Sequence, residues 1–210
     1  MHHAITVHLT IHGIIVIICA LALTALFTVK YYKLKRLYLA AKTYAVTDPL
    51  TGLLNRRQLF LTLEAEIQRA RRYKHNTQIM FMDVDNFKKF NDRYGHSAGD
   101  KVLTMVAEVL RSCVRKYDTA ARLAGDEFML ILPETSLEFS LKIGERILEK
   151  IKKLEVGGGS LQISASIGIC QVDVFNDVDP MEAADAAMYA TKSKGKGQIA
   201  VSRSDDRVIR

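Results

Sequence analysis

The chain has 210 residues, 49% hydrophobic and 25% charged, with a formal net charge of +7, which is enough for one well-cored domain of ordinary size plus an appendage. The excess charge is not a nucleic-acid footprint: Lys30, Lys33, Lys35, Arg36 and Lys42 crowd one short stretch, the rest of the chain is nearly balanced, and no nucleic-acid partner is expected. Cys19, Cys113 and Cys170 are scattered, without metal-type spacing, and read as reduced packing residues rather than a disulfide framework.

From Ile5 to Val29 there is no Lys, Arg, Asp or Glu, and Ile11 to Val29 is almost wholly aliphatic. About 20 helical residues cross a hydrocarbon core of about 30 Å, so a single transmembrane helix is expected over residues 5–29. A cleaved leader is disfavoured because there is no basic n-region and the apolar run is too long. A buried core helix is disfavoured because the segment has no charged face. The basic residues that follow place the C-terminal side in the cytoplasm and face anionic lipid head groups. His2, His3, His8 and His12 read as an incidental polar lip.

Residues 30–46 continue as a basic juxtamembrane linker helix, with Leu34, Leu37, Ala41 and Tyr44 forming a two-heptad seam too short to dimerise strongly alone. Next, the pattern predicts a helix at 55–73, a strand at 77–83 and a short helix at 86–94. This last leads through Gly95 and Gly99 into a helix at about 99–112, with Val102, Leu103, Val106, Val109 and Leu110 on one face. Strands at 118–123 and 127–132, a helix at 136–153, a strand at 161–171, a helix at 179–193 and a strand at 197–202 complete the series. Gly157 to Ser160 is a turn without phosphate-cradle logic, since no helix follows it. Such interleaving argues for an α/β (α+β) domain with a central mixed sheet flanked by helices, over residues 47–202, with a tail at 203–210.

The chemistry concentrates at two acidic sites. Arg122-Leu-Ala-Gly-Asp126-Glu127-Phe128 reads as two strand arms around a tight turn that lifts adjacent carboxylates to its tip. The apolar strand Gln78 to Met82 runs into Asp83-Val84-Asp85. Carboxylates at a buried strand end, joined by those of a hairpin, suit Mg²⁺ and phosphoryl transfer.

The stretches Asp48 to Arg57, Asp83 to Lys88, Asn91 to Asp100, Arg122 to Phe128, Ser164 to Gly168 and Ala184 to Lys192 together resemble the GGDEF family of diguanylate cyclases, roughly over residues 47–201. The resemblance implies a nucleotidyl-cyclase palm-like, ferredoxin-related fold. It implies that two GTP molecules are condensed into cyclic di-GMP and two pyrophosphates by an obligate homodimer; with the anchor expected from residues 5–29, the enzyme is expected on the inner (cytoplasmic) membrane, its catalytic domain in the cytoplasm. Two Mg²⁺ ions per site, or Mn²⁺ in their place, would be held by Asp83, Asp126 and the Val84 carbonyl, with Glu127 and Lys88 assisting catalysis. Asn91 and Asp100 would read guanine, Phe87 and His96 would border the pocket, and Lys192 and Lys196 would meet the triphosphate. Arg115 and Asp118, four residues before Arg122, match the family's RxxD product-inhibition site.

Two positions depart from the family pattern. Lys196 stands where an Arg is usual, keeping the charge but losing the bidentate fork, so weaker substrate affinity is expected. Ala124 stands at the first Gly of the motif. If Gly125-Asp126 form a type II′ turn, only Gly125 requires positive φ and Ala124 stays in strand geometry; if Ala124 itself must adopt the left-handed conformation, the cost is roughly 1–2 kcal/mol. These departures leave a second reading, a catalytically silent module that binds GTP or cyclic di-GMP and signals to a membrane partner. A third is a cyclase that makes a mononucleotide product.

Overall fold

The computed structural model describes residues 20–38, 46–155, 163–172 and 179–202. The chain separates into two compact units, Met1–Ala45 and Val46–Arg210. In the first, residues 20–38 form helix α1, whose Leu21, Leu23, Leu26, Phe27 and Val29 are exposed, as are Leu34 and Leu37 of the seam. Among the described residues no helix is long and apolar enough to cross a membrane. Residues 5–19 of the expected span, the four N-terminal histidines, Cys19, residues 39–45 of the linker, the Gly157 to Ser160 turn and the 203–210 tail lie outside the described residues.

The second unit runs α2 (Arg56–Tyr73), β1 (Thr77–Val84), α3 (Phe87–Tyr94), α4 (His96–Cys113), β2 (Thr119–Ala124), β3 (Glu127–Pro133), α5 (Leu137–Lys152), β4 (Ala165–Gln171), α6 (Pro180–Lys194) and β5 (Ile199–Val201). Helix starts follow from capping: Asn55 accepts from the Gln58 amide and Ser136 from the Phe139 amide, while Asp179 caps α6 ahead of Pro180. The strands form one sheet in the order β2-β3-β1-β4-β5. The pairings from β2 to β4 are antiparallel and β4 with β5 is parallel, so the sheet is mixed. Its first four strands give the order of a β-α-β-β-α-β unit, as expected from the sequence.

Strand β1 lies at the centre and is buried along its whole length. Met80, Met82 and Val84 face a core shared with Val106 and Leu110 of α4 and Ile147 of α5. Ile79 and Phe81 face the other core, with Leu59 and Leu63 of α2 and Met188 of α6. A strand covered on both faces reads as a continuous apolar run, which is why Gln78 to Met82 shows no alternation.

Three elements differ from expectation by more than one residue. Helix α4 begins at His96, not near residue 99, because Gly95 alone, at φ 81°, makes the break. Gly99 lies inside the helix, where the missing Cβ leaves room for the Asn91 amide oxygen and the Phe87 ring. Strand β4 begins at Ala165, with Ile163 and Ser164 outside it, and residues 161 and 162 of the expected strand lie outside the described residues; β5 is shorter than the expected 197–202, spanning Ile199–Val201.

Candidate active site

The hairpin turn comes first because everything else is measured from it. Ala124 pairs with Glu127, leaving a two-residue loop, in which Gly125 takes φ 48° while neither Ala124 nor Asp126 has positive φ. Ala124 therefore keeps strand geometry, as the type II′ reading requires. A bulge between Arg122 and Ala124 re-aims the tip.

The turn is clamped from behind. Arg122 donates from Nε and Nη2 to the Gly125 carbonyl at 2.9 and 2.8 Å, and from Nη1 to Asp48 Oδ1 and Oδ2 at 3.2 and 3.3 Å. Asp48 Oδ1 also accepts from the Thr51 amide and hydroxyl, at 2.8 and 2.7 Å. Burial works against the Asp48 charge, but the Thr51 hydrogen bonds and the Arg122 guanidinium outweigh it and hold the carboxyl below the usual range. Arg111 Nη2 donates to the Thr51 carbonyl, tying the end of α4 to the same turn.

Beside this hairpin β1 ends. Asp83 lies directly opposite Glu127 in the ladder, and the Val84 amide donates to the Asp126 carbonyl at 3.2 Å. Because side chains alternate along a strand, Asp83 shares the face of Ile79 and Phe81, toward α6. There Lys192 Nζ lies 2.8 Å from Asp83 Oδ1, with the two side chains 27% and 12% exposed. Burial pushes the Asp83 carboxyl up, the Lys192 hydrogen bond opposes this, and the Asp126 charge adds to the rise. Glu127 is raised by burial first, then by the charges of Asp83, Asp126 and Asp185. Asp85, next along, is buried and accepts from the Ser164 and Ser166 hydroxyls at 2.7 and 2.8 Å.

Like charges held opposite one another in a ladder destabilise the fold. Glu127→Gln is therefore expected to raise the melting temperature. A carboxyl with a raised folded pKa contributes stability below its unfolded pKa and loses it as pH rises. The advantage of the glutamine variant should thus be present at neutral pH and vanish as the pH falls into the carboxylate range, which thermal melts across pH would show.

The other predicted residues divide. Phe87 packs against the core beside Gly99, and the Asn91 amide oxygen is buried there without a hydrogen-bond partner. Asp100, His96 and Lys88 are exposed on α4 and α3. A cavity of about 230 Å³, lined by Val84, Asp85, Phe87, Phe90, Tyr94 and Ser164 among others, opens beside α3; Asn91 does not line it. A larger groove of about 660 Å³ runs between α2 and the start of α6 and holds none of the acidic cluster. Lys196 Nζ donates to Asn86 Oδ1 at 2.6 Å. Arg115 and Asp118 close a turn on themselves: the Arg115 amide donates to Asp118 Oδ2 at 2.7 Å and the Asp118 amide to the Arg115 carbonyl at 3.1 Å. Burial raises the Asp118 carboxyl, against the Arg115 hydrogen bond and charge.

The donor set fits a hard divalent cation. Asp83 at the strand end and Asp126 at the hairpin tip are near enough for the Asp126 charge to act on the Asp83 carboxyl, while among the described residues no group of three or more His, Cys, Asp or Glu is placed to hold a metal ion. Mg²⁺ is bound through one or two carboxylates and keeps coordination places for phosphate oxygens, so the two acids suit it. The sequence motifs contained Asp48, Arg122, Asp85 and Asp185 without a role for any of them. The signal that could have found them is their register with the acids: Arg122 opens the hairpin, and Asp185 precedes Lys192 by seven residues on one helix face.

A mixed sheet with carboxylates at the exit of its central strand, completed by a hairpin tip and a helix lysine, defines a palm-type domain suited to nucleotide chemistry. Residues 45–198 match the family model described as diguanylate cyclase, GGDEF domain, and the chain belongs to that family. It is 39% identical over 161 residues to diguanylate cyclase DgcP of Pseudomonas aeruginosa, covering 75% of this chain and 24% of that one. It is 35% identical over 166 residues to diguanylate cyclase DgcM of Escherichia coli, covering 79% of this chain and 40% of the relative. The chain thus spans less than half the length of either. Among solved structures, the coiled coil and GGDEF domain of DgcB from Caulobacter crescentus, in complex with c-di-GMP, superposes with a TM-score of 0.77 at 28% identity, covering 86% of this chain and 97% of that one.

Proposed function

We propose that this chain is a membrane-anchored diguanylate cyclase that condenses two GTP molecules into cyclic di-GMP and two pyrophosphates. The observation that carries the reading is the meeting of Asp83, the Val84 peptide and Asp126 where β1 leaves the sheet. Asp83 and Asp126, with the Val84 carbonyl, would hold two Mg²⁺ ions, which when bound neutralise triphosphate charge and lower the pKa of the attacking 3′-hydroxyl. Asn91, whose amide oxygen lacks a partner, and Asp100 discriminate guanine through its N1–H and exocyclic amine. Phe87 and His96 border the base, Lys88, Lys192 and Lys196 meet phosphate oxygens, and Glu127 tunes the acid cluster.

Each protomer holds one GTP, and the 3′-hydroxyl of each attacks the α-phosphorus of the other, so turnover needs two chains facing each other. The uncharged segment 5–29 followed by basic residues supports a single-pass anchor with the catalytic unit in the cytoplasm, and the exposed apolar side chains of α1 fit burial in lipid or against a second copy. A membrane helix and short seam together raise the effective concentration of two catalytic units. The DgcB structure is in complex with c-di-GMP, which supports product binding by this domain, and the RxxD pattern of Arg115 and Asp118 is the site we assign to it.

The test is pyrophosphate release by the full chain in lipid with GTP and Mg²⁺, together with chromatography of the nucleotide product. Cyclic di-GMP is the expected product, and a mononucleotide or no product overturns the reading. Arg115→Ala is expected to leave the initial rate unchanged and to raise the cyclic di-GMP concentration needed for half inhibition by about ten-fold or more, as loss of a charge-assisted contact predicts.

A further inference from the structure

The acidic cluster has a resident cation of its own. Lys192 Nζ is bonded to Asp83 Oδ1 at 2.8 Å, and both side chains are largely shielded from water. Four residues on, Lys196 Nζ is bonded to Asn86 Oδ1 at 2.6 Å. The end of α6 is therefore clipped at two points to the segment Asp83 to Asn86, which leads from β1 into α3. Asn86, whose side-chain oxygen accepts from Lys196, itself takes left-handed backbone geometry at φ 59°. Both lysines lie at or just past the C-terminal end of α6, where the helix dipole favours a cation. Asp126 adds negative charge at Asp83, and Glu127 feels both members of the pair.

We propose that Lys192 competes with the divalent cation for Asp83, so that metal loading and triphosphate binding are coupled through this one side chain. The inference rests on the assignment of Asp83 as a metal ligand. An ammonium bonded to one carboxylate oxygen repels a dication approaching the other, and this repulsion is relieved when the ammonium moves to a phosphate oxygen. A triphosphate supplies that second partner. Binding of nucleotide draws Lys192 away from Asp83 and tightens the metal; by linkage, metal on Asp83 frees Lys192 and tightens the nucleotide by the same factor. The site consequently takes metal poorly until nucleotide arrives. Lys192 has two roles, counter-ion to Asp83 and phosphate ligand, and one cannot be filled while the other is.

The experiment measures Mn²⁺ binding by electron paramagnetic resonance on the full chain in lipid, with and without a GTP analogue that resists cleavage at the α-phosphorus. Lys192→Met is expected to bind Mn²⁺ at least about ten-fold more tightly than wild type in the absence of nucleotide, and its affinity should respond less to the analogue. Lys192→Arg, which keeps the charge, should not gain affinity. Equal or weaker Mn²⁺ binding by Lys192→Met, and by Lys192→Gln as a second neutral variant, overturns the competition. Asp83→Asn separates the two levels: it should abolish the analogue-dependent Mn²⁺ site. If it does while the neutral lysine variants change nothing, only the competition fails. If Mn²⁺ binding survives Asp83→Asn, the ligand assignment fails with it.

Discussion

Asp126→Asn is expected to lower the rate of GTP turnover by about a thousand-fold or more while changing nucleotide binding by less than about ten-fold, because a metal-ligating carboxylate supplies several kcal/mol of transition-state stabilisation. The hairpin should survive the change. Its register depends on backbone groups, including the bond from the Val84 amide to the Asp126 carbonyl, and on Gly125 for the positive φ. Asparagine keeps the shape and removes the charge. The Asp126 charge raises both Asp83 and Glu127, so its loss relieves repulsion within the fold. A melting temperature equal to or above wild type is therefore expected alongside the lost rate. Paired measurements of pyrophosphate release and thermal unfolding check this: a variant that loses rate only because it unfolds, or one that retains more than a tenth of the rate, contradicts the assignment.

Arg122→Ala acts on the same turn from behind and should cost both stability and rate. It removes two bonds to the Gly125 carbonyl and leaves the partly buried Asp48 without its cation. Loss of such charge-assisted bonds at a largely buried pair is expected to cost about 2 kcal/mol, or about 4–8 °C in a domain of this size. An acid displaced by as little as about 1 Å lowers turnover by about a hundred-fold. Arg122→Lys should fall between, because one ammonium cannot span the Gly125 carbonyl and the Asp48 carboxylate as a guanidinium does. Asp48 has a lowered folded pKa, so its contribution is present above the unfolded carboxylate pKa and lost as pH falls through the folded value. The stability gap between wild type and Arg122→Ala should narrow in acid, and a gap independent of pH would count against the clamp.

Element types were legible in the sequence where local chemistry was strong. The helix at 55–73 declares its start through Asn55, and the 136–153 helix through Ser136, each capping in the structure as a polar residue before an apolar periodic run should. The turn geometry at Gly125 was open in the sequence between a type II′ loop and a left-handed Ala124, and the structure takes the first: Gly125 alone has positive φ in a two-residue loop. The start of α4 was misplaced because two glycines, Gly95 and Gly99, offered the same break signal, and only packing distinguishes them: one makes the turn, the other admits Asn91. The acids were found as strand-end residues, but the pairing of Lys192 with Asp83 joins positions 109 apart through sheet order and helix placement, and no local pattern encodes that. The same holds for Asp48 and Arg122, which were visible as motif members with no stated partner.

One feature of the sheet divides the site mechanically. Asp83 and Glu127 are mounted on β1 and β3, interior strands paired on both sides, and Asp126 sits in the hairpin loop one residue before β3, whereas Lys192 and Lys196 precede β5, a three-residue edge strand held by a single parallel ladder. Amide hydrogen exchange should accordingly be fastest along the α6–β5 margin and slowest through β1, since short edge elements open locally at a fraction of the global unfolding free energy. On the proposed competition, breathing of that margin would let the lysines exchange partners while the acids stay in register, so charge could be handed over without dismantling the anvil on which the chemistry is struck.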